Sequence, residues 1–187
     1  MAKQISAQMY QIKVTLEGVR PLVWRRLLVP SSISLRALHD ILQVALGWTN
    51  SHLHSFSFGE LNYGYPDPDG ETDWIKDDAR IKLNKALEKP KDWMTYEYDF
   101  GDSWRHKIVL EKVEAVSGPA KSLRANCTGG ARACPPEDCG GVWGYAEFLK
   151  TIRNPRHPEH DYMLEWVGGE FDPARFDVAE VNLVLNN

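Results

Sequence analysis

The chain has 187 residues, 43% of them apolar and 26% charged, and its 22 basic and 26 acidic side chains leave a formal net charge of −4. A chain of this size buries roughly 70% of its unfolded surface, so neither a metal nor a disulfide is needed to hold its core. The composition excludes a disordered chain, and no apolar run approaches the ~20 residues that span a bilayer. Nothing behind Met1 reads as a secretory signal. The expectation is one domain over residues 1–187, flexible over 1–8, in a cytoplasmic setting and without a membrane partner.

In chain order, Tyr10, Ile12, Val14 and Leu16 alternate with polar neighbours and predict a half-buried strand. Residues 22–29 predict a second strand, ended by Pro30. Ser34 is placed to cap a helix over 35–46, whose apolar face is Leu35, Leu38, Ile41, Leu42, Ala45 and Leu46 and which Gly47 ends. A strand over 52–58 turns at Gly59-Glu60 into 61–63. Residues 64–91 read as irregular, with a short helical piece over 83–87. Strands over 93–100 and 103–116 are joined at Gly101-Asp102. The stretch 118–144 gathers three Pro, all three Cys and six Gly, too long for an ordinary connection and a candidate functional or metal-braced loop. Helices follow over 145–153, 158–167 and from 173 or 177 to 185. This order predicts an α+β fold, mainly an antiparallel sheet with helices packed on one side.

Charge is unevenly spread. Residues 1–60 hold six basic and three acidic side chains, and the remainder holds 16 against 23. Arg20, Arg25, Arg26 and Arg36 form either a solvated face or a weak phosphate-binding stripe, the second implying steeply salt-dependent DNA affinity. Asp67, Asp69, Glu71, Asp73, Asp77 and Asp78 suggest a calcium loop at first sight. Thr72 stands where an EF-hand turns on Gly, however, and Asp78 where it uses Glu, so the segment reads as an exposed loop.

An odd cysteine count without a signal implies free, catalytic or metal-bound thiols. Cys127, Cys134 and Cys139 offer three corners of a zinc tetrahedron that a histidine would complete; free thiols in a loop are the alternative. On a strand, His52 and His54 share a face with Phe56 and Phe58, either as a metal-gripping pair or as core-edge histidines beside aromatics. In the hairpin 96–106, a two-residue turn at Gly101-Asp102 sets Glu97 opposite His106, a carboxylate–imidazole pair that tunes a general base. A three-residue turn instead sets Tyr96 and Tyr98 opposite His106 and Trp104, which makes an aromatic wall. Trp143 and Trp166 read as packing residues, and His157 and His160 as capping or exposed. There is no Gly-x-Ser-x-Gly elbow, Gly-Lys-Ser/Thr phosphate loop or Gly-x-Gly-x-x-Gly turn.

Five segments, taken in order, resemble one family. They are Arg20-Pro-Leu-Val-Trp-Arg-Arg-Leu-Leu-Val-Pro30; Leu38-His39 with Gly47-Trp-Thr-Asn-Ser-His-Leu-His-Ser-Phe56; Tyr96-Glu-Tyr-Asp-Phe-Gly-Asp-Ser-Trp104; Ala133-Cys-Pro-Pro-Glu-Asp-Cys-Gly-Gly141; and Gly168-Gly-Glu-Phe-Asp-Pro173. The family is named after the third open reading frame of a root-inducing (pRiA-type) plasmid, and members are labelled insertion-element passenger or TnpR (resolvase)-like proteins. The resemblance implies a compact α+β domain whose biochemical activity is not established; no Tyr-x-Arg-x-Ser segment of the serine-resolvase kind follows the first strand.

The leading expectation is a binding or accessory protein linked to mobile elements, with an unknown protein or nucleic-acid partner. Its recognition residues would be Tyr98, Trp104, Arg105 and His54, joined by Arg25 and Arg26 if nucleic acid is bound; Trp24 stays undecided. The alternative is a metal-dependent hydrolase or nuclease. There His52, His54 and His106, or the cysteines, hold zinc or another metal, and Glu97 or Asp99 serves as base.

Overall fold

Alternation of period two puts Tyr10, Ile12, Val14 and Leu16 on one side of strand β1 (Ala7–Leu16). The same rule buries Met94, Tyr96 and Tyr98 in β6 (Trp93–Tyr98) and His106, Ile108 and Leu110 in β7 (Trp104–Val116). These side chains need a cover, and helix α1 (Leu35–Leu46) presents Leu35, Leu38, Leu42, Ala45 and Leu46 to the same core cluster. Ser34 Oγ accepts from Ala37 N at 3.1 Å to cap the helix, and Gly47 closes it in the left-handed conformation (φ 83°). The structure, a computed structural model, describes residues 7–66, 74–116 and 123–187.

Among the described residues one eight-stranded sheet has the order β5-β4-β3-β6-β7-β1-β2-β8. The remaining strands are β2 (Trp24–Pro30), β3 (His54–Phe58), β4 (Leu61–Gly64), β5 (Ile75–Asp77) and β8 (Asn126–Ala131). Every pairing is antiparallel except that of β4 with β5. A bulge opposite Gln11/Ile12 leaves Glu111 as the extra residue of β7, and its carboxylate takes Arg26 at 2.7 and 3.0 Å and Gln11 at 2.7 Å. The remaining helices are α2 (Leu83–Ala86), α3 (Gly141–Arg153), α4 (His160–Trp166) and α5 (Val178–Leu185). At the outer edge of β8, Asn182 of α5 donates its amide to Cys127 O (2.9 Å) and accepts from Cys127 N (2.7 Å). No helix among the described residues is long and apolar enough to cross a membrane.

The fold expectation holds, with corrections in detail. Residues 1–6 lie outside the described residues, but Ala7 and Gln8 already belong to β1. Asp67, Asp69, Glu71 and Asp73 lie outside them too. Asp78, assigned to the same exposed loop, is fully buried. The cysteine stretch contains a strand, β8, that its Gly and Pro content disguises. Hairpin register follows the aromatic alternative: Tyr96 faces His106, Glu97 faces Arg105 and Tyr98 faces Trp104. Residues 99–103 form the connection in place of a two-residue turn, because Asp99 and Ser103 both adopt positive φ (58° and 54°).

Arg25 is the largest departure from expectation. The alternation that buries Val23, Leu27 and Val29 also turns Arg25 inward, where it is 3% exposed. Its guanidinium donates to Ala45 O (2.7 Å), Trp24 O (2.9 Å) and Ala131 O (3.2 Å) and lies 4.1 Å from the Phe176 ring centroid. It ties α1, β2 and β8 together and is not available to phosphate. Arg25→Met keeps the buried stem but strands carbonyls that cost about 1–3 kcal/mol each when unsatisfied. The expected outcome is a loss of at least about 2 kcal/mol in urea unfolding. A loss under about 0.5 kcal/mol, the range of an ordinary surface substitution, would show that the arginine is not a tie.

Candidate functional site

Three of the segments behind the family resemblance converge at one end of the sheet. Residues 48–54 leave α1, residues 98–104 turn from β6 into β7, and residues 134–141 cross both. Trp48 Nε1 donates to Pro135 O at 2.9 Å, and its ring stacks on Tyr98 with centroids 4.9 Å apart. The buried Tyr98 hydroxyl donates to Glu137 Oε1 (2.5 Å) and accepts from the backbone N–H of Ser51 (2.9 Å) and His52 (3.3 Å). Glu137 also accepts from Thr49, from Oγ1 at 2.5 Å and from the backbone N–H at 3.3 Å. Burial works against ionisation of Glu137, but hydrogen bonds from Thr49 and Tyr98 more than offset it and hold the carboxyl below its usual range. Burial, then the Glu137 hydrogen bond, push the Tyr98 phenol up, so it remains a donor.

The loop needs glycine where it crosses the hairpin. Gly140 N donates to Asp102 Oδ2 at 3.1 Å, and a Cβ on Gly141 (φ 67°) would lie 2.6 Å from Asp102 O. This crossing brings Asp138 to the hairpin. His52 Nε2 is 3.2 Å from Asp138 Oδ1 and 3.7 Å from Asp99 Oδ2, and the three donor atoms lie within 4.8 Å of one another.

Behind this surface lies a buried polar network. His39 Nε2 meets Asn50 Oδ1 (2.7 Å), Asn50 N donates to Gln43 Oε1 (2.9 Å), and Gln43 Nε2 donates to Tyr96 OH (2.9 Å). Tyr96 OH meets His39 Nδ1 at 2.9 Å and closes the ring. Since Asn50 Oδ1 only accepts, His39 carries its proton on Nε2. The imidazoles of His39 and His54 stack at 3.6 Å. His54 Nε2 bonds Asp78 Oδ2 at 2.8 Å, and Arg36 Nε bonds Asp78 Oδ1 at 2.5 Å. Burial raises the cost of an Asp78 charge, yet the His54 and Arg36 bonds prevail and keep its carboxyl below the ordinary range.

These contacts decide where each expected site residue falls. Tyr98 and Trp104 are fully buried and form core in place of a recognition face. Glu97 accepts from Ser103 Oγ (2.7 Å) and pairs with the exposed Arg105, so it is not a partner of His106. His106 is fully buried with Nδ1 on Trp104 O (3.0 Å). His54 is committed to Asp78, which separates it from His52 as a metal ligand. Cys127 Sγ is on Gly129 O and Cys134 Sγ receives Arg25 Nη2, both at 3.5 Å. The three sulfurs belong to no common group of three donors among the described residues. Burial pushes the Cys134 thiol up to about 11, and burial with nearby Asp102 pushes Cys139 to about 12, so both are thiols at neutral pH. Arg26 and Arg36 are paired with acids, leaving Arg20 exposed beside Pro21.

A pocket that sequence reasoning missed opens next to Asp138. Asp138 and Cys139 of the loop, Gly144, Glu147, Phe148 and Thr151 of α3, and Glu159, Tyr162, Met163 and Trp166 at and within α4 line about 360 Å³. Trp143 is 85% exposed, which corrects its reading as a packing residue, whereas Trp166 is 41% exposed and packs edge-on against the buried Phe148 (centroids 5.8 Å apart).

The comparisons with known proteins agree with this fold. Residues 8–180 match the model of the plasmid pRiA4b ORF-3-like protein family, and the chain belongs to that family. An uncharacterized protein, y4hQ, of Sinorhizobium fredii (strain NBRC 101917 / NGR234) is 38% identical over 183 residues, covering 97% of this chain and 92% of that protein. The crystal structure of a protein of unknown function from Methanosarcina mazei Go1 superposes with a TM-score of 0.81 at 32% identity, covering 94% of this chain and 98% of that one.

Two outcomes follow from the site. Gly141→Ala should cost about 1–3 kcal/mol and exceed Gly168→Ala, since Gly168 (φ 91°) has nothing near its Cβ position and bears the backbone strain alone. Equal losses in denaturant unfolding would deny the Asp102 contact any role. Burial depresses His106 from 6.5 to about 4, and burial with the His54 ring does the same to His39. The unfolded chain therefore binds more protons between these values, and stability should fall as pH drops from 6.5 towards 4 and stay level above 7. His106→Phe should reduce that slope by up to about 1.4 kcal/mol per pH unit; an unchanged slope would mean that the imidazole is charged in the folded state.

Proposed function

We propose that this family member is a binding or accessory protein that takes a cationic group of a partner protein, a lysine or arginine side chain, into the pocket between α3, α4 and the 134–139 loop. One observation carries the reading. The lining joins three carboxylates to the rings of Phe148, Tyr162 and Trp166; Glu147 is paired with Lys150 (2.5 Å), whereas Asp138 and Glu159 meet no Lys or Arg among the described residues. Carboxylates beside aromatic faces suit an alkylammonium or guanidinium, which gains from ion pairing and from the ring quadrupole together. The volume of about 360 Å³ falls in the range of small-ligand sites and accepts one long side chain. Exposed Trp143 (85%) and Tyr162 (65%) on the same helices supply the rigid aromatic surface that protein interfaces favour.

The reading does not use the arginines of the basic N-terminal third, since Arg25, Arg26 and Arg36 are engaged internally. Butylguanidinium and butylammonium are suitable probes, with butanol as the neutral control. The expected outcome is NMR shift perturbation confined to Gly144, Glu159, Tyr162 and Trp166, weakened by salt and by several-fold in Glu159→Gln or Trp166→Ala. Equal binding of butanol, or perturbation elsewhere on the surface, would overturn the reading.

A further inference from the structure

We infer that His52, Asp99 and Asp138 form a binding site for one divalent transition-metal ion, a site distinct from the cysteine set that composition suggests.

The donor set comes from three separate segments: His52 from the α1–β3 connection, Asp99 from the β6–β7 connection and Asp138 from the loop before α3. A four- to six-coordinate ion with metal–ligand bonds near 2.1 Å holds adjacent donors about 3.0–3.4 Å apart. The observed 3.2 Å between His52 Nε2 and Asp138 Oδ1 lies within that span, and the 3.7 Å to Asp99 Oδ2 needs only a few tenths of an ångström of closure. Two further facts separate this group from an ordinary ion pair. His52 Nε2 is occluded from solvent and makes no hydrogen bond, although it is close to two carboxylates. The Asp99 side chain is nine-tenths buried, and its Oδ1 takes the N–H groups of Gly101 (3.0 Å) and Asp102 (3.3 Å), which leaves Oδ2 aimed at His52. A carboxylate oriented by backbone donors and an imidazole packed edge-on against Tyr98 (centroids 5.8 Å, 75°) are the supporting contacts by which proteins hold metal ligands in place.

One imidazole and two carboxylates suit borderline ions such as Zn²⁺, Mn²⁺, Fe²⁺ or Co²⁺. Three protein donors leave at least one coordination position, and it opens to solvent because the Asp138 side chain is 70% exposed. This inference shares one residue with the cation pocket. Asp138 serves both, whereas His52 and Asp99 serve only the metal.

Co²⁺ is the probe, added to chelator-treated full-length protein and followed by calorimetry and visible absorption. The expected outcome is one equivalent bound, a visible ligand-field spectrum without the near-ultraviolet sulfur-to-cobalt band, and an upward shift of the melting temperature. His52→Gln and Asp138→Asn, the latter on an exposed side chain that folding does not need, should each weaken binding at least about 10-fold. Cys134→Ser should leave it unchanged, as should Trp166→Ala, which disables the pocket. Failure of the wild type to bind stoichiometric Co²⁺ would overturn the inference. So would a sulfur-to-cobalt band, or binding that survives both ligand substitutions.

Discussion

The hydroxyl of Tyr98 is the contact on which the functional end of the molecule depends. It is buried beneath the chain, receives two backbone N–H groups from the segment leaving α1 and gives its own proton to Glu137. One phenol at the end of β6 thus fixes two stretches of chain, at 51–52 and at 137, that are far apart in sequence and have no regular structure to hold them. A loop crossing a sheet end must satisfy its polar groups somewhere, and this one does so through Glu137, Pro135 O and Gly140 N. Once that crossing is fixed, Asp138 has little choice of position, and the pocket against α3 and α4 inherits its wall.

The parts of the fold set by local rules were legible in the amino-acid sequence. Alternation in 10–16, the Ser34 cap, the Gly47 stop and the strands flanking the hairpin are all decided within a few residues, and each is found where its pattern lies. What local rules did not reach is the pairing of charges across the chain. Asp78 was read as solvated because acidic residues near Pro and Gly usually are, and its partners Arg36 and His54 lie 42 and 24 positions away. Arg25 shows that the signal was present but overruled. It occupies an inward position in the alternation of Val23, Leu27 and Val29, and its charge argued against burial.

The site itself was half legible. The segments 47–56, 96–104 and 133–141 were singled out as motifs, and they do meet. His52 and Asp99 stand out in them as a metal ligand and a base; that Asp138 joins them depends on two aspartates held at positive φ (58° and 59°), a conformation with no mark in sequence beyond the tolerance of Asp for it. Register mattered equally. A shift by one residue moved Glu97 from His106 to Arg105 and turned an imagined acid–base pair into an outward-facing one. Cys134 and Cys127 lie inside the core cluster as small packing groups.

The Asn182 amide, which both gives to and takes from Cys127, reproduces with one side chain the paired hydrogen bonds that a ninth strand would make. Sheet edges are where folded chains recruit one another, and the open row of backbone groups on β8 would otherwise be such a template. A single amide on α5 occupies that row near its start. A second chain seeking to extend the sheet there would have to lift the C-terminal helix first, so this edge favours solitary molecules over fibrillar stacking.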